Sequence, residues 1–379
     1  MTWTESSAAD AARSIAAEVF DHRSEAEAAA RMAPDVRLAM GESGLFAMAV
    51  PTEFGGRESA LPDLVAAVEI IGAADPSAGW HLSNTLAVPM AASHLSHEAC
   101  EEIFSGDLRR PFCVSNSPAG TASRLVDGFQ LDGDWPFVTG VLEAEWMVLA
   151  AQLAGDGHVT PTGLPPVGIF LTRTADVAIN HTWAAAAAMR GTGSNGISAK
   201  GLLVKESFAT SWWAAPRIDR PLYRISLPAM AFITTGAVAL GVLDACLTAT
   251  LQLVGGRLSR ADGVAYADKP RIQAAVADAE AALRGLRAGY HAAMGDLWAK
   301  AATAVLTPKD EGPAITATFH AIDGARAAVS TLYLAATPQV YAQHNVVERS
   351  LRDIFAISVG VEALRPFALH VGRRLLQGG

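Results

Sequence analysis

The 379-residue sequence has only three cysteines, Cys100, Cys113 and Cys246. They are too few and too scattered for a disulfide framework, and none sits in a CxxC pair that would hold zinc. A reducing compartment, the cytoplasm, is the expectation. Charge is scarce as well: 18% of residues are charged, the net charge is -9, and no dense basic run is interleaved with aromatics. Such a chain repels phosphate backbones, so nucleic acid is not an expected partner. The stretch from Met1 to Ser14 is polar and acidic and lacks the basic segment and apolar core of an export signal. Long uncharged runs are also rare. One, Ile225 to Leu243, spans nineteen residues and has the length to cross a bilayer. Thr234 and Thr235 interrupt it and Asp244 follows at once, so it reads as a helix buried on all sides in a bundle, with no membrane contact.

Apolar residues, by contrast, make up 51% of the chain. That is enough to bury a large interior, expected as two or three domains sharing broad interfaces in a compact, oligomeric protein. The pattern changes character twice. Residues 1–108 are Ala-rich, with Ile15, Val19, Leu38, Leu45, Leu64, Val65 and Ile70 recurring at helical spacing. Val50-Pro51 to Gly55-Gly56 breaks one helix, and Asp75-Pro76-Ser77 opens another with an N-cap. Residues 109–217 show short apolar stretches, such as Phe112 to Val114, Trp146 to Ala151 and Val167 to Leu171, between Gly, Asp, Pro and Thr. Turns are expected at Asp127-Gly128 and Asp132-Gly133. Residues 218–379 return to helical spacing at 228–257, 266–303, 312–336 and 345–375, which predicts a four-helix bundle. The fold class is therefore mainly α with a central β domain, and a planar cofactor has room where the domains meet.

Several stretches resemble the acyl-CoA dehydrogenase superfamily. Gly44-Leu45, Val50-Pro51 and Gly55-Gly56 are similar to its N-terminal signature, and Met189-Arg190-Gly191-Thr192-Gly193-Ser194 matches a stretch of its β domain. Asp127 to Gly140 resembles the strand pair that lies against the flavin. Arg220-Pro221-Leu222-Tyr223-Arg224 and Glu348-Arg349-Ser350-Leu351-Arg352-Asp353 resemble segments of the two-component, group D flavin monooxygenase branch, so the likeness runs through almost the whole chain. It implies N-terminal helices, a middle β-barrel and a C-terminal four-helix bundle, assembled as a homotetramer. It also implies a cofactor, FAD or FMN.

By this resemblance Trp135 and Phe137 supply an apolar surface beside the flavin ring, and Thr139 places its hydroxyl near N5 of the flavin. Their bare spacing also fits ordinary core aromatics at strand period. Asn116, Ser117 and Gly140 are further expected cofactor contacts. Arg224 at the domain junction is a candidate for phosphate or ring contact. Arg352 either binds phosphate through both guanidinium arms or forms a structural ion pair on its helix.

A dehydrogenase of this superfamily needs a carboxylate to remove the substrate α-proton, usually in a loop before the last helices. Here that region, Leu334 to Tyr341, has no Glu. The monooxygenase branch instead uses reduced flavin delivered by a separate reductase, reacts it with oxygen and keeps the site dry until substrate arrives. Phenol-hydroxylating relatives place one His eight residues after the Trp of an "A/G-W" motif and another eight after the Arg of the "R-D" motif. Counting from Trp80 gives Val88 and from Arg352 gives Gly360, so both substrate-pocket imidazoles are missing. His81 follows Trp80 and is either a structural residue or, like Thr139, a catalytic candidate. A substrate that is already nucleophilic, such as an amine, a thioether or an electron-rich indole, needs no such base. The reading is thus a flavin-dependent monooxygenase acting on a small organic substrate. The alternatives are an acyl-CoA dehydrogenase-type desaturase or oxidase, and a binding protein that keeps the fold without turnover.

Overall fold

The computed structural model describes residues 6–154, 166–342 and 345–377. Seven helices come first: α1 (Ala8–Asp21), α2 (Arg23–Ala29), α3 (Pro34–Glu42), α4 (Leu61–Ala74), α5 (Pro76–Thr85), α6 (Ala87–Ala92) and α7 (His97–Phe104). Side chains cap the starts of α1, α5 and α7. Ser7 caps α1 by accepting the Asp10 amide, and Asp63 of α4 accepts the amides of Ala8 and Ala9 at 2.7 and 3.0 Å. Those are donors that a helix start leaves without intrahelical partners. Asp75 caps α5 through the Ser77 amide at 3.1 Å, as its sequence suggests. Between α3 and α4, the segment from Leu45 to Val50 is fully buried, and Gly56 passes so close to Val50 that a Cβ would sit 2.1 Å from its carbonyl oxygen.

Seven strands follow: β1 (Cys113–Leu125), β2 (Gly128–Val138), β3 (Trp146–Ala154), β4 (Val167–Arg173), β5 (Ala178–Asn180), β6 (Asn195–Lys205) and β7 (Ala209–Ser211). Their order is β5-β6-β2-β1-β3-β4-β7, antiparallel except for the β1–β3 pair. Closure into the expected barrel is not seen among the described residues, where the two edges, β5 and β7, do not pair with each other. Both edges are three residues long, which leaves few unpaired backbone groups. The Asp127 turn is a tight one in which Leu125 pairs Gly128. Asp132-Gly133, however, lies inside β2, where the register against β6 shifts. Gly133 is small there because Gly120 of β1 would lie 2.5 Å from its Cβ.

The rest is helical: α8 (Leu227–Ile233), α9 (Thr235–Val254), α10 (Pro270–Thr303), α11 (Pro308–Ala335), α12 (Val346–Glu362) and α13 (Arg365–Leu376). The helix expected at 228–257 is broken at Thr234, and the one expected at 345–375 is two helices, α13 restarting with Pro366 in its first turn. Leu227–Val254 is apolar and long enough for a membrane span, yet 83% of its most apolar stretch is buried against other helices.

Candidate active site

The site is built where β2 ends. In a regular strand Trp135 and Phe137 would share a face, but the register against β6 shifts between Trp135 and Val138 and Phe137 has a φ of +59°. The two rings part. Trp135 is 1% exposed, and its indole N–H donates to the Ala150 carbonyl at 2.7 Å. Gly120 makes room for it, since a Cβ there would meet the ring at 2.1 Å. Trp135 is therefore corrected from cofactor surface to core residue. Phe137 is 69% exposed and stands edge-on to Trp183, with ring centroids 6.1 Å apart. A bulky residue at positive φ is uncommon, and such strain collects at functional sites.

Thr139 follows, bridged to Val114 of β1. Beyond Val114, Asn116 and Ser117 lie exposed where the β1–β3 register is interrupted. The Thr139 hydroxyl lies 2.9 Å from that of Ser194, which lies 2.7 Å from that of Thr192, which donates to the Met189 carbonyl at 2.8 Å. Gly140 donates its amide to the Thr192 carbonyl at 3.2 Å. Its φ of +77° suits glycine, and a Cβ would lie 2.3 Å from Nε2 of His81. His81 thus sits against the Gly140 backbone, beside Thr139, wholly buried and, among the described residues, with no hydrogen-bond partner for either ring nitrogen. Burial pushes its pKa down to about 4, so the imidazole is neutral.

The loop carrying Thr192 and Ser194 is held from α12. Met189, at φ +52°, donates its amide to Asp353 Oδ1 at 2.7 Å. Burial raises the Asp353 carboxyl to about 6, against the pull of Arg349, 3.4 Å away. Arg349 in turn pairs Asp75 of α5 at 2.8 Å and donates to the Arg23 carbonyl. Arg352 bonds Glu348, Glu27 of α2 and the Ala187 carbonyl. Its guanidinium is engaged by these protein groups, as a structural ion pair would be. Arg224 is likewise engaged, by Asp219 at 2.6 Å and by the Ala301 carbonyl of α10 at 2.9 Å, and makes no contact with the Thr139 cluster.

A small, mainly apolar pocket of about 30 Å³ opens between α5, α6, α8 and the sheet. Val114, Met90 and Met230 line it, with Asn84 and Asn116 as polar points, and Val114 joins it to Thr139. Trp80 and Gly360 are brought together, the Trp80 ring 3.8 Å from where a Cβ at 360 would be. Val88 is completely buried, and none of Trp80, Val88 and Gly360 lines this pocket. Sequence reasoning did not assign Ser194, Thr192, Trp183 or Asn84 to the site. Ser194 and Thr192 lie in a stretch noted only for its likeness to the superfamily's β domain, and nothing in the order of residues places them beside Thr139.

Known proteins share this organisation. The family model for the acyl-CoA dehydrogenase N-terminal domain matches residues 2–105, and that for the C-terminal domain matches residues 233–359. An indole-3-acetate monooxygenase of Pseudomonas putida is 29% identical over 270 residues, covering 70% of this chain and 66% of its own length. The HsaA monooxygenase of M. tuberculosis superposes with a TM-score of 0.89 at 20% identity, covering 98% of this chain and 97% of that one. XiaF from Streptomyces, solved in complex with FADH2 and glycerol, superposes with a TM-score of 0.84 at 21% identity, covering 98% and 94%.

Proposed function

The chain belongs to the acyl-CoA dehydrogenase superfamily, and we propose that within it the protein is the oxygenase component of a two-component, flavin-dependent monooxygenase. The carrying observation is the Thr139 hydroxyl, anchored by Ser194 and placed beside the exposed, strained Phe137 in a fold shared with flavin monooxygenases. The lack of Glu from Leu334 to Tyr341 weighs against the dehydrogenase alternative.

The residues fit reduced FAD or FMN. Phe137 and Trp183 offer an aromatic surface, Asn116 and Ser117 exposed polar groups, and Thr139 a hydroxyl with a lone pair to spare. Bound reduced flavin, supplied by a separate reductase, contributes the activation of molecular oxygen. The chain's own residues do the rest. Trp135 and the neighbouring core keep water from the sheet side, and His81 stays neutral beside Gly140. No imidazole stands at 88 or 360 to deprotonate a phenol, so the substrate is one already nucleophilic, an electron-rich indole, an amine or a thioether. We also place the protein in the cytoplasm as a homotetramer, supported by apolar Phe355 and Val359 on α12 and Leu369 and Leu376 on α13, all exposed in the single chain.

The test is anaerobic titration of the purified protein with reduced and oxidised flavin, followed by oxygen uptake with indoles and thioethers. Tighter binding of reduced flavin and substrate-dependent oxygen uptake are expected. Tight binding of oxidised FAD that acyl-CoA bleaches would establish a dehydrogenase instead, and no binding of either form would leave a scaffold.

A further inference from the structure

We infer that Ser194 and Thr192 set the direction of the Thr139 hydroxyl and thereby make the site selective for reduced over oxidised flavin. This rests on the reading that the N5 edge of a flavin meets Thr139. Three hydroxyls, each with one proton, make three contacts: Thr139 with Ser194, Ser194 with Thr192, and Thr192 with the Met189 carbonyl. The carbonyl can only accept. One assignment alone makes all three contacts hydrogen bonds: Thr192 donates to Met189, Ser194 to Thr192, and Thr139 to Ser194. The Thr139 oxygen is then left with lone pairs and no proton for a ligand. All three residues are buried, so water does not readily offer a substitute partner.

The two redox forms of a flavin differ at this atom. Reduced N5 carries a proton and donates; oxidised N5 carries none and accepts. The chain as ordered receives the reduced form without rearrangement. To meet the oxidised form, Thr139 must turn its proton outward, the two other hydroxyls must reverse, and the Thr192 bond to Met189 is lost. One such bond corresponds to about fivefold in affinity. The Met189 carbonyl is fixed because Asp353 holds the Met189 amide, so the polarity of the chain is anchored from α12.

The test is the ratio of dissociation constants for oxidised and reduced flavin, measured anaerobically with FAD and FMN on wild type, Ser194→Ala and Thr192→Val. Ser194→Ala frees the Thr139 proton, and Thr192→Val removes the acceptor that holds Ser194. In both, affinity for oxidised flavin should rise relative to reduced, shrinking the ratio by about fivefold. Thr192→Val keeps the shape of the side chain, so it remains informative if Ser194→Ala folds poorly. An unchanged ratio, including an equal fall in both affinities as a purely structural role would give, overturns the inference while leaving a flavin protein. Failure of wild type to bind either form overturns the functional reading as well.

Discussion

Among the described residues His81 is buried without a partner for either nitrogen, and that has a cost that depends on pH. Unfolded, the imidazole takes a proton near its ordinary 6.5; folded, burial delays this to about 4. Between those values the unfolded chain holds the additional proton, so stability is lost as pH falls, by up to about 3 kcal/mol. Asp353 acts in the opposite sense, since its raised carboxyl is protonated first in the folded chain. The comparison must therefore be wild type against His81→Gln, in which the Asp353 contribution cancels. Denaturant unfolding at pH 6.5 and 4.5 should show wild type losing about 2 kcal/mol more than the variant over that interval; equal losses would mean that the folded ring does take up a proton there. His81 was legible as a candidate from its place after Trp80, and Thr139 and Phe137 from their motif. The parting of Trp135 from Phe137 was not, because it follows from a local shift against β6 and a positive φ, which a two-residue alternation cannot express.

Among the elements, the amphipathic helices were readable because they bury one face at a regular spacing, and the cap at Asp75 is local chemistry. Closure of the sheet was not readable, since whether β5 and β7 meet depends on edge pairing that alternation leaves open. The carboxy-terminal Arg-Asp motif was readable as important but ambiguous as to role, and α12 divides the role between its members. Asp353 is buried and accepts the Met189 amide, whereas Arg352 is 30% exposed among several partners. Asp353→Ala leaves a buried amide and a buried Arg349 short of a partner, and should cost about 3 kcal/mol in denaturant unfolding. Arg352→Met should cost about 1 kcal/mol or less, as part-exposed ion pairs do. It should also change flavin affinity by less than about threefold, where loss of a bidentate phosphate contact would cost tenfold or more. A tenfold loss on titration with reduced flavin would return Arg352 to the cofactor.

At the scale of the molecule, the amino-terminal helices and the bundle are joined by glycine contacts that no periodicity announces. A Cβ on Gly241 of α9 would lie 2.6 Å from both the Ala73 amide nitrogen and the Glu69 carbonyl oxygen of α4, and one on Gly79 of α5 would lie 2.6 Å from Gly72. Three helix backbones meet there, and backbone atoms cannot yield as a side-chain tip can. Beside this crossing Glu69 bonds Arg287 and His291 of α10, each at 2.6 Å, so α4 is tied to two bundle helices at once. The uncharged run that had the length of a membrane span is apolar for this reason: α9 is enclosed by neighbours close enough to touch its backbone. It follows that α4 and α9 open together. In Gly241→Ala the added methyl forces the helices apart and should cost about 3 kcal/mol. Hydrogen exchange should then register the same fall in opening free energy at the slowest amides of both helices, α4 as much as α9. A fall confined to α9 would show that the amino-terminal helices and the bundle open as separate units despite the crossing.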